Sequence, residues 1–528
     1  MGTIQSGHDR RSLSTCCRHL HLPPAAGELT RRGFLGGLGG AALGSAALVA
    51  ASEAQAAATR PAAGGTLPAG KILRVKPVLV YQLCKRVEKS SWRNYGGSIT
   101  QDGVDQEAAR IKTELEQLRG EAEFPVEVLP VSLAASAEEV KPVAASDCDV
   151  LLVYALSGLQ AWLETLAGSG KPNILFVRYR SGPFYLWYEI AHWRFLRKNV
   201  DEFGEPNMDV DDVVVDDYGE VLWRLRALYG LKNAKGTKSI ALGGLAPYSE
   251  PAGKNGPTHV KEIWGYDVQV VPTAEIEQRL AKARSDQGVM SQVQRLTDEF
   301  LAQPNLTLQT DRKFVINTFV ALKVFRDILS ETGGTNVGVA HCMGSLITLL
   351  DTTPCLVLSI LNDEGITAFC HTDYSHTPPG VLLRWIAGKP SFVCNSHFPH
   401  HGIMTLAHCA APRRMNGRDF EPTKIMTHFE SDYGAATKVE YPVGQAITAI
   451  IPNLRCTKWY GFRGKVIGSP AYDICRSQMD VEIDGDWRKL LHDMEGFHTL
   501  VVYGDYLREV GYVLKKLKIG WENVSENA

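Results

Sequence analysis

Residues 150–177 read VLLVYALSGLQAWLETLAGSGKPNILFV. The first five are apolar without a break, residues 159–166 place apolar side chains at helical spacing, and residues 173–177 return to an apolar run. A strand that is apolar on both faces needs cover on both faces, and a strand–helix–strand unit supplies it by pairing its strands in parallel. The same texture extends upstream, with a β-rich run at 72–83, a helical pattern at 104–118 and an extended stretch at 126–131. Downstream, a helix at 218–231 leads through a loop-like boundary at 233–237 into a second unit of the same kind. That unit has strands at 239–245, 268–271, 337–340 and 366–369, and helices at 273–283, 292–300 and 311–329. Beyond residue 391 come short β-like runs at 403–407, 424–429, 435–440, 445–451, 458–467 and 499–503, then a helix at 505–517. The expected fold is α/β, with two Rossmann-like or flavodoxin-like domains at 72–235 and 236–390. An antiparallel, barrel-like β domain is expected at 391–528.

The N-terminus carries a different signal. Thr30, Arg31, Arg32, Gly33, Phe34 and Leu35 match a twin-arginine pattern; an apolar stretch of modest hydrophobicity follows to about residue 51, and Ala54, Gln55 and Ala56 offer a cleavage site. Residues 1–56 are expected to be an export signal read by the twin-arginine translocase and 57–71 a flexible leader, giving a periplasmic or extracellular protein. The net charge of −2 and a charged fraction of 22% provide no basic field for nucleic acid. Nine of the eleven cysteines lie beyond the signal, an odd number without paired spacing, so no disulfide framework is expected. Several of them, such as Cys370 and Cys394, sit in apolar runs as small buried hydrophobes.

Histidine is the most unevenly distributed residue. His341, His371, His376, His397, His400, His401, His408 and His428 share one span, and His492 and His498 follow. Imidazole ligates transition metals and titrates near neutrality, so the clustering points to a metal or acid–base site. Four strings concentrate it. In 369–374 (FCHTDY) and 393–401 (VCNSHFPHH) an apolar strand ends in polar residues, the place where α/β sheets put ligand groups. In 405–412 (TLAHCAAP) a histidine closes a β-run, and in 496–498 (GFH) one precedes the strand at 499–503.

Taken in order, these strings resemble the L-fucose and L-arabinose isomerase superfamily over essentially the whole chain beyond the signal. The resemblance implies two α/β domains and a β-rich third, a divalent metal (usually manganese) between the last two, and a homo-oligomer. It implies aldose–ketose isomerisation of a monosaccharide through an enediolate. It places the first metal carboxylate at His371, the second at Asn395, a nearby histidine at His408 and the C-terminal metal histidine at His498. Both carboxylate positions are therefore changed here. His371, His408 and His498 are the expected ligands, a set that also suits zinc or iron. Asn395 is a hydrogen-bonding substitute for a ligand, and His371, Asp373 and Glu430 are the candidate proton-transfer groups; Asp363 and Glu364, with Asp373 and Glu430, are the carboxylates that would restore the family's ordinary chemistry. Trp92, Arg93 and the aromatic run at 184–189 are candidates for stacking on a sugar ring. The alternatives are a metal-dependent lyase or epimerase acting on a carbohydrate, or an exported carbohydrate-binding protein without catalysis. Gly243 and Gly244 do not make a dinucleotide fingerprint, and Ser345 lacks the glycine spacing of a nucleophile elbow.

Overall fold

A computed structural model describes residues 67–526, apart from 96, 98, 206 and 207. The export signal and most of the leader lie outside the described residues. The quoted stretch forms β4 (Val150–Ala155), the helix Gln160–Ala167 and β5 (Asn173–Val177), and every residue of both strands is buried. With β1 (Leu73–Val80), β2 (Val126–Val128), β3 (Ser132–Ala134) and β6 (Val213–Val215) they make an all-parallel sheet ordered β2-β1-β4-β5-β6, with β3 also on β1. Two of the helices start where a side chain satisfies free backbone N–H groups: the Thr100 hydroxyl accepts from Gly103 and the Asp217 carboxylate from Gly219. At the end of β5 the buried Arg178 guanidinium meets Glu107 and Glu114, each at 2.5 Å.

The second sheet is again parallel, ordered β11-β10-β7-β8 from β7 (Lys238–Leu242), β8 (Asp267–Val271), β10 (Asn336–Val339) and β11 (Thr367–Phe369). Its 21-residue helix Arg312–Thr332 is capped by Asp311 and stopped by Gly333, whose φ of 69° favours glycine.

In the C-terminal region β16 (Ala446–Pro452), β19 (His498–Tyr503), β12 (Phe392–Ser396), β13 (Ile403–His408), β18 (Ser477–Asp484) and β17 (Lys458–Gly468) form a closed antiparallel barrel. β16 pairs with β17 to complete the ring, and β20 (Gly520–Asn523) adds to β17 in parallel. Alternation divides its residues: Phe392, Cys394, Met404, Leu406, Val501 and Tyr503 belong to one cluster, while Val393, Leu500 and Val502 pack with the first sheet and the helix Thr377–Ala387.

Two of the runs expected in the barrel lie outside it. β14 (Thr423–His428) pairs antiparallel with β15 (Tyr433–Val439) and parallel with β9 (Leu306–Leu308), which belongs to the second α/β segment. Ile425, Ala435 and Ala436 bury their side chains in the core of that segment, so the apolar face of the hairpin is drawn away from the barrel.

Candidate metal centre

β11 ends the second sheet, and the chain then turns through residues 370–376 into the helix Thr377–Ala387. Pro378 and Pro379 start this helix, where a missing N–H costs nothing, and Gly380 lets it press against the core. A Cβ there would lie 2.3 Å from the Phe369 ring and 3.1 Å from Leu500. The helix thereby fixes the turn against the outer face of the barrel. His498 is the first residue of β19 and stands opposite Asn395 of β12 in the ladder, on the same side as Leu500 and Val502.

The turn and the strand meet at Asp373, His376 and His498. One ligand atom from each lies within 4.8 Å of the others, and all three residues are buried. Neither ring nitrogen of His376 nor of His498 has a hydrogen-bond partner, and the Asn395 Oδ1 is likewise buried without one. An orphaned buried polar atom costs about 1–3 kcal/mol, so four such nitrogens in one place are a strong sign of a missing partner. The Asp373 carboxylate is held by backbone donors, the Tyr248 N–H on Oδ2 and the Ser375 N–H on Oδ1, both at 2.8 Å. Burial alone would push this acid up; the His376 imidazole and these N–H groups hold it below the ordinary carboxylate range.

Burial favours the neutral imidazole throughout. It lowers His376 to about 4, despite the Asp373 carboxylate, and carries His498 well below its usual value with help from the neighbouring histidines. Two neutral imidazoles and one carboxylate are donors that suit Mn, Fe or Zn rather than Mg. Asp373, His376 and His498 therefore fit a divalent transition metal.

His371 borders this group, its ring centroid 5.4 Å from that of His498 and 6.5 Å from that of His376. It is half-buried, and desolvation lowers its pKa against the pull of Asp373. On another side of His498, Phe497 lies 4.3 Å away between centroids, and Tyr248, 58% exposed, packs edge-on against both rings. The centre thus has an aromatic lip facing solvent.

The expected residues divide as follows. His371, Asp373 and His498 come together, and Asn395 stands opposite His498 in the ladder. His408 is buried and lowered to about 4, chiefly by desolvation, and it feels the charges of His371 and His376. Its Nδ1 accepts from the Ala410 N–H at 3.2 Å, and it stands outside the three-ligand group. Glu430 is exposed on the turn after β14 and acts electrostatically on His428 and Cys475. Asp363 is buried in an ion pair with Arg413 at 3.0 Å, and Glu364 pairs with Arg326. Trp92 and Arg93 lie in the segment after β1, the guanidinium 5.1 Å from the indole centroid. His397, His400 and His401 are exposed between β12 and β13.

His376, Tyr248 and Phe497 were missed as site residues. His376 was visible only as one more histidine in the span; its spacing of three from Asp373 becomes meaningful once the turn into the helix is known. Neither a protein-family model nor a curated protein matches the chain.

Proposed function

We propose that the protein is a metal-dependent sugar isomerase, interconverting an aldose and a ketose. The observation that carries the reading is the buried pair His376 and His498, four ring nitrogens without partners, beside the anchored carboxylate of Asp373. These three residues would hold the ion, and Asn395 Oδ1 adds a neutral acceptor across the ladder from His498. Bound there, a divalent ion supplies Lewis acidity to the oxygens of an α-hydroxycarbonyl compound.

The remaining work falls to the chain. His371, kept neutral by burial at the edge of the centre, takes the proton from the carbon bearing the hydroxyl and returns it to the adjacent carbon. Asp373, tied to two backbone N–H groups, stays ionised and in place rather than shuttling protons. Tyr248 and Phe497 stack on the C–H face of the sugar and exclude water on that side. Counting β2 and β3 as one broken strand, both parallel sheets run in the order 2-1-3-4, the first with a fifth strand. This order supports a flavodoxin-like reading of the two α/β domains, with the ligand groups past the carboxyl ends of the strands. Loading before export by the twin-arginine route belongs to the same proposal.

Metal analysis of the full chain is the first test: one divalent ion per chain is expected, lost in His376→Ala and His498→Ala. Incubation of the loaded protein with aldoses and ketoses in D2O is the second, with deuterium expected at C1 or C2. Stoichiometric metal without exchange across a broad panel refutes isomerisation. A metal-free protein whose sugar affinity survives His498→Ala is a binding protein instead.

A further inference from the structure

A second group of reactive side chains lies on the same sheet edge and takes no part in the proposed isomerisation. Cys342 follows β10 and Cys370 follows β11, neighbouring strands paired in parallel with Gly338 opposite Phe369. The two sulfurs are 3.3 Å apart. The chain reaches Cys342 through His341, which takes the left-handed conformation at φ 52°, ψ 41°, and leaves through Gly344 at φ −105°, ψ −108°. This sharp turn holds Cys342 half-buried beside the exposed His341 and Met343, whereas Cys370 is buried. The Cys370 S–H donates to the Cys342 sulfur; this bond, with the charge of His428 and the Met343 N–H, holds the Cys342 thiol below its usual range against burial.

We propose that Cys342 and Cys370 are a reversible redox dithiol, in which Cys342 attacks a small peroxide and Cys370 resolves the product to a disulfide. The Cys342 thiolate attacks one peroxide oxygen, the O–O bond breaks, and a sulfenic acid and water form once the leaving hydroxide is protonated. The Cys370 sulfur then attacks the sulfenic sulfur, its proton leaves with the hydroxyl as a second water, and the S–S bond closes. Hydrogen peroxide is reduced to two waters while two thiols give up two electrons and two protons. Bond formation needs the sulfurs to close from 3.3 Å to about 2.05 Å, a change within reach of side-chain rotation. The half-buried position of Cys342 selects an oxidant of nearly water size over a bulky disulfide.

A second thiol pair provides the internal control. Cys409 accepts from the Arg476 N–H at 3.4 Å, and Cys475 and His428 beside it draw its thiol below the usual range.

The test treats the reduced full chain with hydrogen peroxide, alkylates the remaining thiols under denaturing conditions and maps peptides by mass spectrometry. The expected result is loss of alkylation at Cys342 and Cys370, a linked peptide pair joining them, and recovery of both thiols on reduction. Cys370→Ser should stop at a Cys342 sulfenic acid captured by dimedone; Cys342→Ser should leave Cys370 alkylated; Cys475→Ser should still form the link. Circular dichroism of each variant establishes that it is folded. Over-oxidation of Cys342 to sulfinic acid without a link in the wild type overturns the proposal. So does a link confined to Cys409 and Cys475, or oxidation of Cys370 in folded Cys342→Ser.

Discussion

Replacing His376 by leucine should strengthen the metal-free protein while removing its response to metal. His376 is fully buried, both its ring nitrogens lack partners, and nothing else in the described residues recovers the desolvation they suffered on folding. Each orphaned group costs on the order of 1–3 kcal/mol, and leucine is close to imidazole in volume, so the gain in the metal-free state should be about 1–3 kcal/mol after imperfect repacking. In the loaded state that advantage is offset. At a metal concentration of about 100 Kd the wild type gains about 2.7 kcal/mol from linkage, and the variant, left with Asp373 and His498, forfeits most of it. Urea unfolding with chelator and with saturating Mn2+ or Zn2+ measures both effects. A metal-free variant less stable than wild type by more than about 1 kcal/mol would show that His376 is an ordinary core residue whose packing outweighs its polarity. A wild type indifferent to metal would refute the centre itself.

Asn395→Asp should tighten metal binding roughly tenfold, about 1.4 kcal/mol, because it sets an anion where a neutral acceptor stands beside His498; isothermal titration checks it, and weaker binding would contradict the placement. In the metal-free protein His376 and His408, both lowered to about 4 by burial, take up protons more readily when unfolded. Their contribution is therefore intact above about pH 6.5 and drains away as pH falls toward 4, which urea midpoints across that window should register. Gly380→Ala should cost about 1–3 kcal/mol, since the new methyl meets the Phe369 ring and Leu500, and should lower metal affinity by shifting the turn at 373–376; unchanged melting would show that the helix is free to move. Asp363→Ala should cost about 3–5 kcal/mol by stranding the buried Arg413 and leave metal stoichiometry untouched, as calorimetry and metal analysis can show together.

The alternation of apolar runs and helical patterns in residues 72–369 was enough to read two parallel sheets, because central strands such as β4 and β5 are covered on both faces and so read as near-continuous apolar runs. The β-rich texture after residue 391 likewise announced an antiparallel barrel, and the strings around His371 and His498 marked the two sides of its junction with the second sheet. Those were local properties of the chain. Which imidazoles share a cavity was not, since His408 and His376 look alike as sequence and differ only in what folds against them. His376 becomes a ligand candidate because Gly380 seats its helix on Phe369 and Leu500, and His408 does not join it because its ring accepts a backbone N–H two residues on. The hairpin 423–439 left the barrel for the same kind of reason: Ile425, Ala435 and Ala436 found a deeper apolar core in the second α/β segment. Periodicity determines the elements of this protein because it is written residue by residue. Partnership across 122 positions, from His376 to His498, is decided only when packing excludes every other neighbour.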